Sequence, residues 1–132
     1  SCQETVDIEA EKEAIKVVVQ AQLDAALALS FEGESAVWAH TDYIERFGVQ
    51  GWDSISVVYQ KMFEKYSSDT MDFQGKVFTA SNYDIHLNGT FASVFHDQHF
   101  EYVLKGEEYV SAIREHKYLE KIDGEWKLIA TF

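Results

Sequence analysis

The chain has 132 residues and a formal net charge of −12; 46% of its residues are hydrophobic, 14% are aromatic and none is proline. That composition describes one domain, long enough to bury a core without disulfides or metals and too apolar for disorder beyond its ends. The acidic balance argues against nucleic acid or an anionic membrane surface as partner, and no run approaches the roughly 20 apolar residues of a membrane span.

Cys2 is the one cysteine, so an intrachain disulfide and a cysteine-rich metal site are excluded. Ser1-Cys2 looks like the mature end of a bacterial lipoprotein, in which Cys2 would carry the lipid and hold the domain at a periplasmic or membrane location. A bare terminal cysteine on a cytoplasmic protein is the alternative. Residues 1–6 then read as a polar tether and residues 7–132 as a single domain.

Asp7 is a good N-cap, and Glu9 and Glu11 follow where the helix dipole favours negative charge. Ile8, Ile15, Val18, Val19, Ala26 and Leu27 carry an apolar stripe at helical spacing to about Ser30, ahead of Gly33. Residues 35–40 start as a short helix, and residues 41–47 alternate well enough for a short strand closed by Gly48. Gly51-Trp52 opens a second amphipathic helix, with Asp53 or Ser54 as cap, and Ile55, Val58, Tyr59, Met62, Phe63 and Tyr66 form its face. Ser67-Ser68-Asp69 ends it. A strand over residues 73–87, broken near Ser81-Asn82, leads into the turn Asn88-Gly89, and two more turns follow at Lys105-Gly106 and Asp123-Gly124.

The runs between these turns, residues 90–104 and 107–122, are much longer than the usual strand of about 5–6 residues. Strands of that length twist, bend or carry bulges, so the predicted fold is α+β: a strongly curved antiparallel sheet, ending in a strand over 125–132, wrapped around the helices as a cup. A cup of this kind suits a small-molecule pocket.

Period-two arithmetic puts Val110, Ala112, Arg114, His116 and Tyr118 on one face of their strand and Ser111, Ile113, Glu115, Lys117 and Leu119 on the other. On the neighbouring strand His96 and Gln98 share a face with Ala92 and Val94. If the Arg114, His116 and Tyr118 column is concave, Arg114 binds an anionic group, His116 moves a proton and Tyr118 donates a hydrogen bond, with His96 on the pocket floor. On the outer face the same column is solvated or part of a dimer interface. Asp97, His99 and Glu101 are of metal-ligating type, but a single strand spaces them about 6–7 Å apart per step and supplies no partner set, so no metal and no cofactor are expected. Trp38, Trp52, Tyr59 and Phe63 read as core or pocket wall.

The long first helix, Ala36-Val37-Trp38-Ala39-His40, Gly51-Trp52-Asp53 and the closing Tyr118–Ile129 stretch with its Gly124-Glu125-Trp126-Lys127 strand start together resemble the nuclear transport factor 2-like superfamily, and within it the SnoaL-like small bacterial domains. The resemblance covers nearly all of residues 7–132. It implies a cone-shaped cystatin-like fold, a homodimer through the outer sheet face, and a pocket mouth at Trp38 to Tyr43, where His40 or Asp42 would be the general base of an isomerase, cyclase or dehydratase. The catalytic sets of the family's steroid-isomerase and epoxide-hydrolase branches do not transfer intact, because the first helix has no tyrosine and Arg114 alone is a poor match. The expected function is therefore binding of a small, mostly apolar molecule with a polar or anionic group. Proton-transfer catalysis and a purely oligomerising module are the alternatives.

Overall fold

The computed structural model describes residues 7–132; Cys2 and the proposed tether lie outside the described residues. The chain builds α1 (Ile8–Leu27), α2 (Phe31–Val37), β1 (Glu45–Arg46), β2 (Val49–Gln50), α3 (Trp52–Tyr66), β3 (Gln74–Asn88), β4 (Phe91–Leu104), β5 (Glu107–Ile122) and β6 (Glu125–Thr131). The four long strands form an antiparallel meander, and the sheet order is β2-β1-β6-β5-β4-β3. The β1 strand lies parallel to β6 and carries β2 on its free edge.

Local chemistry explains the helix ends. The Asp7 carboxylate accepts from the Ala10 N–H at 3.1 Å, as its place ahead of the apolar stripe predicts. The first helix stops at Leu27 rather than Ser30, because Leu29 turns left-handed and Ser30 caps α2, its Oγ accepting from the Gly33 N–H at 3.0 Å. The two helices meet closely there: a Cβ on Gly33 would fall 2.7 Å from the Ala25 Cβ. Gly51, at a φ of 85°, is the N-cap of α3, so Asp53 and Ser54 lie inside its first turn instead of capping it. Residues 41–47 pair over only Glu45 and Arg46, since the turn to β2 needs Phe47 and Gly48 at positive φ.

The last two long hairpins each turn on a pair of residues with positive φ, Lys105-Gly106 and Asp123-Gly124, whereas the first turns on Gly89 alone. The expected break at Ser81-Asn82 is a bulge within one continuous strand, between Ser81 and Asp84, with Asn82 left-handed. A second bulge lies between Gly75 and Val77, and bulges of this kind bend a long strand and let the sheet wrap the helices. Ile15 and Val19 of α1, Ile55 of α3, Val94, Leu119 and Leu128 of the sheet, and Trp38 between them fill the core.

Candidate ligand cavity

The Lys105-Gly106 turn sets the register of β4 and β5, so that Ala92 faces Leu119, Val94 faces Lys117 and His96 faces Glu115. Directly opposed residues in an antiparallel pair point to the same side. Ala92, Val94 and Leu119 are core residues, so this side is the one the helices cover. It carries His96, Glu115 and Lys117 into the interior, all three buried.

Between this face and α1 and α3 lies a cavity of about 300 Å³. One part of its wall is apolar: Leu23, Met62, Phe63, Phe78, Phe100 and Tyr102. Phe78 stacks on Phe100 at 4.1 Å between ring centroids, and Phe100 on Tyr102 at 4.5 Å, a rigid aromatic surface along the sheet. The other part is polar, from Gln22, Arg46, Tyr59, Gln98, Glu115 and Lys117.

The polar groups are tied into place. Lys117 Nζ donates to His96 Nε2 at 2.7 Å and toward Gln98 Oε1 at 3.4 Å. His96 Nδ1 lies 3.0 Å from the Asp97 carbonyl oxygen, which can only accept; the ring is therefore the Nδ1–H tautomer, with the Nε2 lone pair aimed at the lysine. Burial, with the Lys117 charge beside it, holds the His96 pKa down at about 4, so the imidazole is neutral. Glu115 Oε1 accepts from Thr131 Oγ1 at 3.2 Å. Behind this layer Glu34, fully buried, accepts from Gln22 Nε2 at 2.6 Å. Burial raises the Glu34 pKa to about 7, against the opposing pull of Gln22 and the Arg46 charge. The Arg46 guanidinium sits 4.7 Å from the Tyr59 ring centroid, and Trp38 Nε1 donates to Tyr59 Oη at 3.1 Å. Burial also pushes the Tyr59 phenol up, which keeps it neutral.

Lys117 stands out among these groups. It is 1% exposed, and the ion pairs of the described residues leave it out. Burial lowers its pKa to about 8, with Glu115 and Glu34 pulling the other way. A lysine inside a protein without an ion partner is costly, and its pKa falls for that reason.

The residues singled out from the sequence do not converge on one place. Tyr59 and Phe63 line the cavity, while Trp38 and His96 are buried behind it, each bonded to a lining group. His40, Asp42 and Trp52 line a separate, more open pocket; His40 stacks on Trp52 at 4.3 Å, with Nε2 donating to the Ser35 carbonyl at 2.8 Å. Tyr43, half exposed, donates to Glu120.

The pocket reading of Arg114, His116 and Tyr118 is corrected by the register: these three face outward, opposite Asp97, Phe95 and Ser93. Arg114 donates to Asp97 Oδ1 at 2.9 Å, and His116 stacks on Phe95 at 3.9 Å. Gln22, Glu34, Arg46, Glu115 and Lys117 were not singled out as site residues by the sequence, which placed Glu115 and Lys117 on the face opposite the Arg114, His116 and Tyr118 column. Among the described residues no group of three or more His, Cys, Asp or Glu side chains is placed to hold a metal ion.

No family model and no curated protein matches the sequence at a significant level. Solved structures do match over nearly the whole chain. A nuclear transport factor 2-like superfamily protein from Salmonella enterica superposes with a TM-score of 0.72 at 18% identity, covering 93% of this chain and 89% of that one. A nuclear transport factor 2-like protein of unknown function from Pseudomonas putida gives 0.70 at 15% identity, covering 93% and 84%. A protein of unknown function with a cystatin-like fold from Nostoc punctiforme gives 0.69 at 19% identity, covering 98% and 92%. With three helices inside a curved, unclosed sheet, the chain has the nuclear transport factor 2-like fold.

Proposed function

We propose that this domain, of the SnoaL-like type, binds a small, mostly apolar molecule in the interior cavity, with the molecule's polar or anionic group set against Lys117. The observation that carries this reading is the buried Lys117 ammonium, which lines the cavity with a neutral imidazole and an amide as its hydrogen-bond partners. A ligand oxygen there would take up the lysine's remaining hydrogen-bonding capacity in a place where such bonds are strong. The aromatic wall of Phe63, Phe78 and Phe100 would hold the apolar body.

Calorimetric titration with p-cymene, cuminyl alcohol and cuminate, which share a body and differ in the end group, tests the reading. Binding of the alcohol and the acid is expected. Lys117→Met should weaken cuminate by roughly tenfold to a hundredfold, the loss of one hydrogen bond to a charged group, and leave p-cymene unchanged. No heat from any of the three, or an equal loss for all, would contradict it.

Proton-transfer catalysis is the second reading, favoured by a carboxylate and an amine on one cavity wall. In that case Glu115 and Lys117 take the roles first given to His40 and Asp42, which line the other pocket. We also infer a homodimer through the outer sheet face, supported by the contiguous rings of Phe95, His116, Tyr118 and Phe132 there.

A further inference from the structure

Lys117 differs from the other lysines of the described residues in chemistry as well as in position. It is the one buried lysine among them, and it lines the cavity. Its short bond to His96 Nε2 fixes where the amine sits, and the Asp97 carbonyl fixes the imidazole in turn. Glu115 points to the same side two residues earlier on the strand, about 6–7 Å away, and is itself held by Thr131. A fixed amine, a nearby carboxylate and an apolar wall that limits water are the components of an imine-forming site.

We propose that Lys117 is a covalent attachment point for an apolar aldehyde or ketone, which it captures as a Schiff base inside the cavity. The inference rests on the cavity reading above and names the class of ligand. A carbonyl compound is neutral, so the overall charge of −12 does not repel it as it would an anion.

In the reaction the ammonium first gives a proton, relayed by a water molecule, to the Glu115 carboxylate. The free amine nitrogen attacks the carbonyl carbon, a C–N bond forms, and an N–H proton passes to the oxygen to leave a carbinolamine. Glu115 returns its proton to that hydroxyl, the C–O bond breaks, water leaves, and the nitrogen lone pair completes a C=N bond. The product is an iminium ion carrying the single positive charge the ammonium began with, and no oxidant or reductant takes part. The lowered pKa of Lys117, about 8, keeps far more free amine near neutrality than an exposed lysine has. The charged and titratable groups around it are Glu34 from α2, Arg46 from β1, Tyr59 from α3, His96 from β4 and Glu115 on its own strand.

The test is reductive trapping of the folded wild-type protein with cuminaldehyde and cyanoborohydride at neutral pH, followed by peptide mapping. Labelling at Lys117 should exceed that at any exposed lysine by at least about tenfold, following the difference in free amine. An excess of cuminyl alcohol should protect Lys117 and leave surface lysines unprotected. Lys117→Arg, which keeps the charge but forms no stable imine, should lose the preferred site. If the alcohol binds by calorimetry while trapping is confined to surface lysines, the covalent inference is overturned and the cavity reading stands. If neither the alcohol binds nor Lys117 is trapped, both are overturned.

Discussion

Lys117→Met is expected to abolish a rise in stability that the wild-type protein shows between about pH 8 and pH 10.5. The folded pKa lies below the ordinary value of 10.5, so below about pH 8 the lysine is charged in both states and the folded state bears the whole cost of burying that charge. As pH climbs from 8 to 10.5 the folded amine is already neutral while the unfolded one still holds its proton, and stability increases. A displacement of this size corresponds to roughly 3 kcal/mol. Methionine fills similar space without charge, though it leaves His96 Nε2 without its donor, a loss of about 1–3 kcal/mol. The decisive readout is the difference in unfolding free energy between wild type and variant at each pH from urea titrations, which cancels the loss near pH 10 from the Tyr59 and Tyr83 phenols, whose pKa burial raises. It should shift in favour of the wild type by roughly 3 kcal/mol between pH 8 and pH 10.5. A constant difference would mean that Lys117 is solvated in the folded protein.

Glu34→Gln is expected to act in the opposite pH range and with the opposite slope. Burial lifts this carboxyl from 4.5 to about 7, so its charge costs the folded state above pH 7, and that cost is relieved as pH falls toward 4.5. Below 4.5 the group is neutral in both states and contributes nothing further. The difference again corresponds to roughly 3 kcal/mol. The glutamine amide oxygen can still accept from Gln22 Nε2, so the variant should melt higher than wild type at pH 8 and equal it at pH 4.5. His96 works against Glu34 in the wild type: its folded pKa of about 4 means stability is lost as pH drops from 6.5 toward 4. The comparison is therefore between variant and wild type at each pH. Equal melting at pH 8 would show that Glu34 carries no buried-charge cost. At neutral pH the buried charges of Glu34 and Lys117 at the polar end of the cavity therefore cost the folded protein stability.

The fold was legible because its signals are local. The Gly-ended turns after Asn88, Lys105 and Asp123 and the apolar face from Ile55 to Tyr66 are read from neighbours in the chain, and each became the element it announced. The site was partly legible, and the missing step was register. A two-residue turn at Lys105-Gly106 places Leu104 opposite Glu107 and, counting back, His96 opposite Glu115. A pocket that contains His96 must then contain Glu115 and Lys117; Arg114 and His116 belong to the other side. The conspicuous Arg-His-Tyr column drew attention outward, whereas Ala92, Val94 and Leu119 mark the inward face. Glu34 and Arg46 gave no such signal, because a short acidic helix and a two-residue strand have no period from which burial can be read.

A crystal structure of the protein with cuminate bound tests the central claim most directly. The account predicts the aromatic ring against Phe63, Phe78 and Phe100 and the carboxylate in hydrogen-bond contact with Lys117 Nζ. Cuminate on the outer sheet face beside Arg114 and His116, or lying in the cavity with its carboxylate turned away from Lys117, would contradict it.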